Sequence, residues 1–332
     1  MRALRFSAIR KQLAGPGYRD GVHRHLSSSI VDAEWIVRLY YAASIYIAAR
    51  LMMSVDIAAR ETTDWDFLWP LAWLNAVDID VVLALRLIGL ASFLSSLVAF
   101  AFHRVALARG ASLVCFFLAA TVPNSFGGIN HPYHAWMWVG FVFVFLPDGT
   151  PTHFGRAGKL AYLTVIRGAQ ALFMLFYSMA GAWKLGFGVF DLLSGQPGNL
   201  SPGALAWTLA GRSLQTGTEP LLAPLVIENV WLSWPMLLAI IYIQFTALAI
   251  AFRPRLHVAW GYLLVAFHVG TWLLMEIMFV EHILLLVILL VLSPQRRAYK
   301  RLAEAIADLP LIGWIVRRRL LTLVTEPSRI RA

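Results

Sequence analysis

Apolar residues run in long blocks separated by short polar stretches, with no period-two alternation to suggest strands. Blocks near twenty residues with few charges have the length of membrane-crossing helices. The pattern predicts a first helix over 35–55, a second over 81–103 and a short third over 111–123. A fourth follows at 133–147, a fifth at 159–183 and a sixth at 231–252. The run 257–293 holds two more, near 257–274 and 277–293. The connections carry turn formers: NSFGGINHPYH at 124–134, PDGTPTHFG after the fourth helix, and a Gly/Pro/Ser-bearing linker at 185–230. That linker also contains AWTLAG and PLLAPLVIENV, which predict short helices packed on the bundle. The predicted fold is all-α: a polytopic integral membrane helical bundle of about eight transmembrane helices. A basic segment, 1–34, precedes the bundle at 35–295, and a basic amphipathic tail, 296–332, lies on the membrane surface.

Composition supports this. Hydrophobic residues make up 59% of the 332 and charged residues 14%, against about 45–50% apolar in soluble domains. The net charge of +10 sits mostly at the two ends, where anionic headgroups account for it. No basic stripe interleaved with aromatics points to nucleic acid, and none is expected as a partner. With eight spans, Arg2, Arg5, Arg10, Lys11, Arg104, Arg109, Arg156, Lys159, Arg253, Arg255, Arg296 and Arg297 all fall on one side. The positive-inside rule makes that side cytoplasmic, with both termini there, in the inner (cytoplasmic) membrane. The opening residues are basic without an apolar core, so the first membrane helix is expected to direct insertion itself. A single cysteine, Cys115, excludes an intrachain disulfide.

The chemistry lies in a few polar groups. Lys184 closes the apolar stretch YSMAGAWKLG on the expected outer side, where basic residues are scarce. Asn130, His131, His268, Glu276 and Glu281 fall at similar depth on the same side. Ionisable groups at that depth usually face a bundle interior or a wet cavity. Each also has a plainer reading. Lys184 can snorkel to headgroups, the histidines can satisfy loop or core hydrogen bonds, and the glutamates can be wetted helix ends. A desolvated lysine holds its proton less tightly and can act as a base toward a weak acid. The Glu-His pair at 281–282 lacks the second histidine of a zinc-protease helix, and GTPTHFGRAGK misses the phosphate-loop spacing. Neither a metal nor a nucleotide cofactor is expected.

Three stretches carry a resemblance. YSMAGAWKL at 177–185, INHPYHAWMW at 129–138 and FHVGTWLLMEIMF at 267–279 resemble segments of the membrane domain of vitamin K-dependent gamma-carboxylases and of the broader bacterial set called HTTM proteins. The first resembles a segment ending in two lysines, the second of which is the base on vitamin K hydroquinone; it falls on Lys184, with Trp183 in place of the first. The second stretch resembles an Asn-Asn-His-x-Tyr segment, matched by Asn130, His131 and Tyr133, with Ile129 replacing the first asparagine. The third matches a Phe-His pair at Phe267 and His268. The resemblance implies a reduced vitamin K or related quinol as cofactor and Lys184 and His131 as catalytic residues. It places Asn130, Tyr133, His268 and Trp183 at the cofactor. Oxygen would attack the quinolate to give a strong alkoxide base; that base would take a carbon-bound proton from a peptide or separate protein substrate, with carbon dioxide trapping the carbanion. Family carboxylases continue into a large soluble β-rich domain, which is not expected after Ser293.

Two other functions fit the residues. The bundle could be non-enzymatic, binding lipid or peptide or assisting maturation and export of a secreted peptide partner. It could also be a small transporter, although no internal repeat or pair of broken helices supports that.

Overall fold

The structure, a computed structural model, describes residues 26–61, 67–125, 131, 133–295 and 302–314. Among the described residues there is no strand. In chain order the helices are α1 (Leu26–Glu61), α2 (Val81–Ala101), α3 (Ala106–Thr121), α4 (His134–Val144) and α5 (Arg156–Leu193). They continue with α6 (Ala204–Thr216), α7 (Ala223–Glu228), α8 (Val230–Phe245), α9 (Ala247–Ala251) and α10 (His257–Met275). The last are α11 (Val280–Leu286), prolonged by a π-helical turn over Val287–Val291, and α12 (Leu302–Asp308).

Each of the eight apolar blocks predicted between 35 and 293 is therefore mainly helical, and the linker helices expected between 185 and 230 are α6 and α7. Among the described residues, five stretches are long and apolar enough to cross a membrane: Ser28–Ile57, Val81–Ala101, Ala106–Asn124, Arg156–Leu193 and Pro254–Met275. His134–Val144, Val230–Phe245 and Val280–Val291 are apolar but shorter, below the roughly 20 residues of a full span. Two boundaries differ most from expectation. α1 begins nine residues early, at Leu26, and α5 runs ten residues past Trp183.

The chain forms two compact units. One comprises Leu26–Phe173 and Phe279–Pro294; the other comprises Met174–Met278 and the described part of Gln295–Ala332.

In the first unit, the side chain of Asp80 caps α2 by accepting from the Leu83 amide at 3.2 Å. Val55, Leu71, Leu74, Leu85 and Val122 form one buried cluster. Tyr40 stacks on Trp136 at 4.8 Å and donates to its carbonyl at 2.9 Å, while Trp136 Nε1 donates to Ser44 Oγ at 3.0 Å. These bonds satisfy polar atoms that would be costly to leave bare in an apolar core. Gln170, fully buried, donates from Nε2 to the Leu289 carbonyl at 2.7 Å and to Ser293 Oγ at 3.1 Å. Leu289 lies in the π-helical turn, so Gln170 supplies a hydrogen bond where the regular ladder is interrupted.

The early start of α1 has an electrostatic reason. Arg104 Nε donates to Glu34 Oε1 at 2.7 Å and Arg104 Nη1 to Thr150 Oγ1 at 3.1 Å. The buried His103 lies 3.5 Å from the same carboxylate. The polar opening of α1 thus has partners that the periodicity does not reveal. Burial pushes the His103 imidazole below its ordinary value, and bonding to the Phe100 carbonyl and to Glu34 opposes this. The unfolded chain then takes up a proton near pH 6.5, before the folded chain does. The stability carried by the neutral ring is complete above that pH and is lost as pH falls through the lower folded value. The expected result is a thermal midpoint that drops on acidification from about pH 7.5 to about pH 5.5, and drops less in His103→Gln.

In the second unit, α6, α7, α8 and the end of α10 share a core of Leu205, Leu209, Val226, Leu237, Ile241 and Leu274. Leu185, on α5, packs against it. α6 ends at Gly217, whose φ of 65° suits glycine. α10 ends at Glu276, a non-glycine residue in the same left-handed region, with φ 56°. Thr246 interrupts α8 and α9, donating back to the Tyr242 carbonyl at 2.7 Å.

Candidate functional site

Tyr177, Ser178, Gly181 and Lys184 recur at spacings of one, three and three, which places them along one side of α5. That side meets the end of α8. Gly181 makes the approach possible: a Cβ there would lie 2.3 Å from the Phe245 nitrogen and 2.8 Å from the Gln244 carbonyl carbon. Only a residue without a side chain fits so near another backbone. Ser178 uses the proximity. Its Oγ lies 3.0 Å from the Phe245 carbonyl and 3.3 Å from that of Gln244, and accepts from the Leu248 amide at 2.8 Å. One hydroxyl therefore bridges the interruption between α8 and α9, where carbonyls and amides lack helical partners.

This contact places Gln244. Its side chain is buried, and Oε1 accepts from Lys184 Nζ at 3.0 Å. Lys184 is half-buried. Among the described residues its hydrogen-bond partner is this neutral amide, and no carboxylate pairs with it. Beside it Trp183 is 67% exposed and packs on Phe187 with ring centroids 4.2 Å apart. Trp183 thus faces outward from the bundle while Lys184 faces α8.

Two turns earlier on α5, the buried Tyr177 hydroxyl lies 2.6 Å from Nε2 of the buried His268 on α10. The phenol and the imidazole share one proton-bearing bond, and either atom can be the donor. Tyr177 and Gln244 were not singled out in the sequence. Each had a signal: Tyr177 opens the same stretch as Lys184, and Gln244 is the lone amide in the apolar run AIIYIQFTALAI.

The other expected site residues belong to the first unit. His131 is exposed, with Nδ1 3.3 Å from Nδ1 of His134 and the two rings 5.2 Å apart. Tyr133 is buried. Burial and the Glu281 carboxylate push its phenol above the ordinary value, while Arg50 and a hydrogen bond with Ser54 oppose this. Glu281 is buried and accepts from Arg50 Nη1 at 3.0 Å, the pairing that an acid in an apolar bundle requires. Asn130 lies outside the described residues. The structure thus brings Lys184 to Gln244, His268 to Tyr177 and His131 to His134, and it holds Tyr133 beside the Arg50–Glu281 pair. Lys184 and His268 belong to one unit, His131 and Tyr133 to the other. Among the described residues, no three His, Cys, Asp or Glu side chains are grouped to hold a metal ion.

The chain matches no protein-family model, no curated protein and no solved structure.

Proposed function

We propose that the chain is a membrane enzyme that uses Lys184 as a base on a reduced quinone-type cofactor, in the manner of the vitamin K-dependent carboxylases. The proposed topology has eight spans with both termini cytoplasmic, the three shorter apolar helices completing the bundle begun by the five long ones. The observation that carries this reading is the setting of Lys184. Its amine is half-buried on an aromatic-bearing helix, held by a neutral amide and, among the described residues, by no carboxylate. An ammonium kept only to anchor a helix would reach for headgroups; this one reaches inward to a buried glutamine. A carboxylate partner would hold the proton on nitrogen, whereas an amide oxygen orients the group and leaves proton transfer open.

A bound quinol supplies two weakly acidic hydroxyls and reducing equivalents. The residues present suit such a group. Lys184 takes a proton from a hydroxyl, Gln244 fixes the direction of the amine, and Trp183 and Phe187 offer flat apolar surface beside it. The Tyr177–His268 pair provides a second proton-sharing group about two turns, on the order of 10 Å, along the same helix. His131 is the proposed partner in orienting substrate, with His134 fixing its ring. A peptide or separate protein remains the proposed recipient of the chemistry.

Lipids extracted from the purified chain and analysed by mass spectrometry are expected to include a quinone. Recovery of membrane lipid without any quinone would favour a non-enzymatic bundle. Gln244→Glu provides a second check. A carboxylate at 3.0 Å from the amine would hold its proton more tightly, so the rising limb of the pH–rate profile should move to higher pH by about one unit or more. An unmoved profile would remove Lys184 from the proton-transfer step.

A further inference from the structure

Far from the lysine in sequence, α1, α3 and α4 surround a cavity of about 10 Å³ within the first unit. Tyr41, Arg109, Ser112, Phe116, Trp136 and Gly140 line it. Two of these present unmatched donors. The hydroxyl of Tyr41, whose side chain is 2% exposed, has no hydrogen-bond partner among the described residues. Nε of Arg109, 1% exposed, has none either. The rest of that guanidinium is well served. Nη1 donates to the His103 carbonyl at 2.8 Å, and Nη2 to the Leu146 carbonyl and to Asp148 Oδ1 at 3.0 Å. Arg109 therefore ties the first turn of α3 to the segment after α2 and to the segment after α4, while its buried Nε stays unmatched.

We propose that this cavity is a binding site for a single water molecule, bridging Arg109 Nε and Tyr41 Oη. Two arguments select water over an anion. The positive charge already has a carboxylate and backbone carbonyls around it, so a second negative charge would be repelled. The space also admits about one water-sized sphere and is too small for a halide with its larger radius. Apolar occupants are excluded because both donors would stay bare, whereas a water accepts from both. The site is built from α1, α3 and α4 and is independent of the reading given to Lys184.

Crystals of the full chain, grown in chloride and again in bromide, provide the test. The expected result is one solvent peak within hydrogen-bond reach of Tyr41 Oη and Arg109 Nε, with no bromide anomalous signal. The thermal midpoint should not change when gluconate replaces chloride. Ser112→Val, which fills the cavity, should remove the peak and lower the midpoint by roughly 4 °C. Absence of the peak in the parent chain overturns the proposal. So does a bromide signal at the site, or a chloride-dependent midpoint that Tyr41→Phe abolishes.

Discussion

Replacing Lys184 with alanine is expected to lower turnover of a reduced quinone in proteoliposomes by about 10²–10⁴-fold, the range that a positioned general base contributes. Insertion and folding should survive, because the amine makes one hydrogen bond, to Gln244, and the helix around it packs through Tyr177, Ser178 and Gly181. Lys184→Arg should not restore the rate. A guanidinium keeps the charge and can still donate to Gln244, but it does not give up its proton in a protein. The pair of variants thus separates charge from proton transfer. Retention of full turnover by the alanine variant would remove the lysine from the chemistry, and recovery in the arginine variant would make it an electrostatic anchor. Product would be quantified by mass spectrometry, with circular dichroism confirming equal helicity.

The second large effect is expected at Gly181. An alanine Cβ there would stand 2.3 Å from a backbone nitrogen and 2.7 Å from a backbone Cα, both of Phe245. Backbone atoms in a helix cannot swing aside, so α5 and the end of α8 must part. Overpacking of this kind typically costs about 1–3 kcal/mol, and because the three nearest atoms are all backbone, Gly181→Ala belongs at about the upper end. Parting the helices would also weaken the Ser178 bridge and the Lys184–Gln244 bond, so turnover should fall with stability. Gly186→Ala is the control. No atom lies within 4 Å of its Cβ position, and removing a helical glycine should stabilise by up to about 1 kcal/mol. Unfolding titrations of both variants, side by side, would measure the contrast; equal stability would mean that α5 and α8 do not meet as described.

The apolar blocks made the helices legible because their lengths and sparse charges leave few alternatives. Their ends were less legible. The Gly-, Pro- and Ser-bearing stretch from 185 reads as a linker, so the expected fifth helix ends at Trp183. α5 continues because Gly188 is a packing position: a Cβ there would lie 2.7 Å from Leu200 Cγ and 3.2 Å from Asn199 Cβ. The chain after α5 folds back, Gln196 donating from its amide to the Asp191 carbonyl at 2.9 Å. Glycine used for close approach looks the same in sequence as glycine used to end a helix. Lys184 was legible as an isolated charge, yet its partner was not, because Gln244 lies 60 positions away and no local pattern links the two. The same holds for Arg104 with Glu34 and for Tyr177 with His268. Pairs brought together by tertiary packing leave single polar residues in apolar runs as their only trace.

The 38 residues of α5 amount to about 57 Å of helix at 1.5 Å per residue. A hydrocarbon layer is about 30 Å thick, and even a 40° lean, the steep end of the usual range, leaves some 44 Å of rise to house. A straight helix of that length exceeds the layer by more than a dozen ångströms at any such lean. Arg156 occupies one extremity and the aromatic turn holding Trp183, Phe187 and Phe190 lies toward the other. Lys184 stands nine residues, about 13 Å of rise, short of the Leu193 end of the helix.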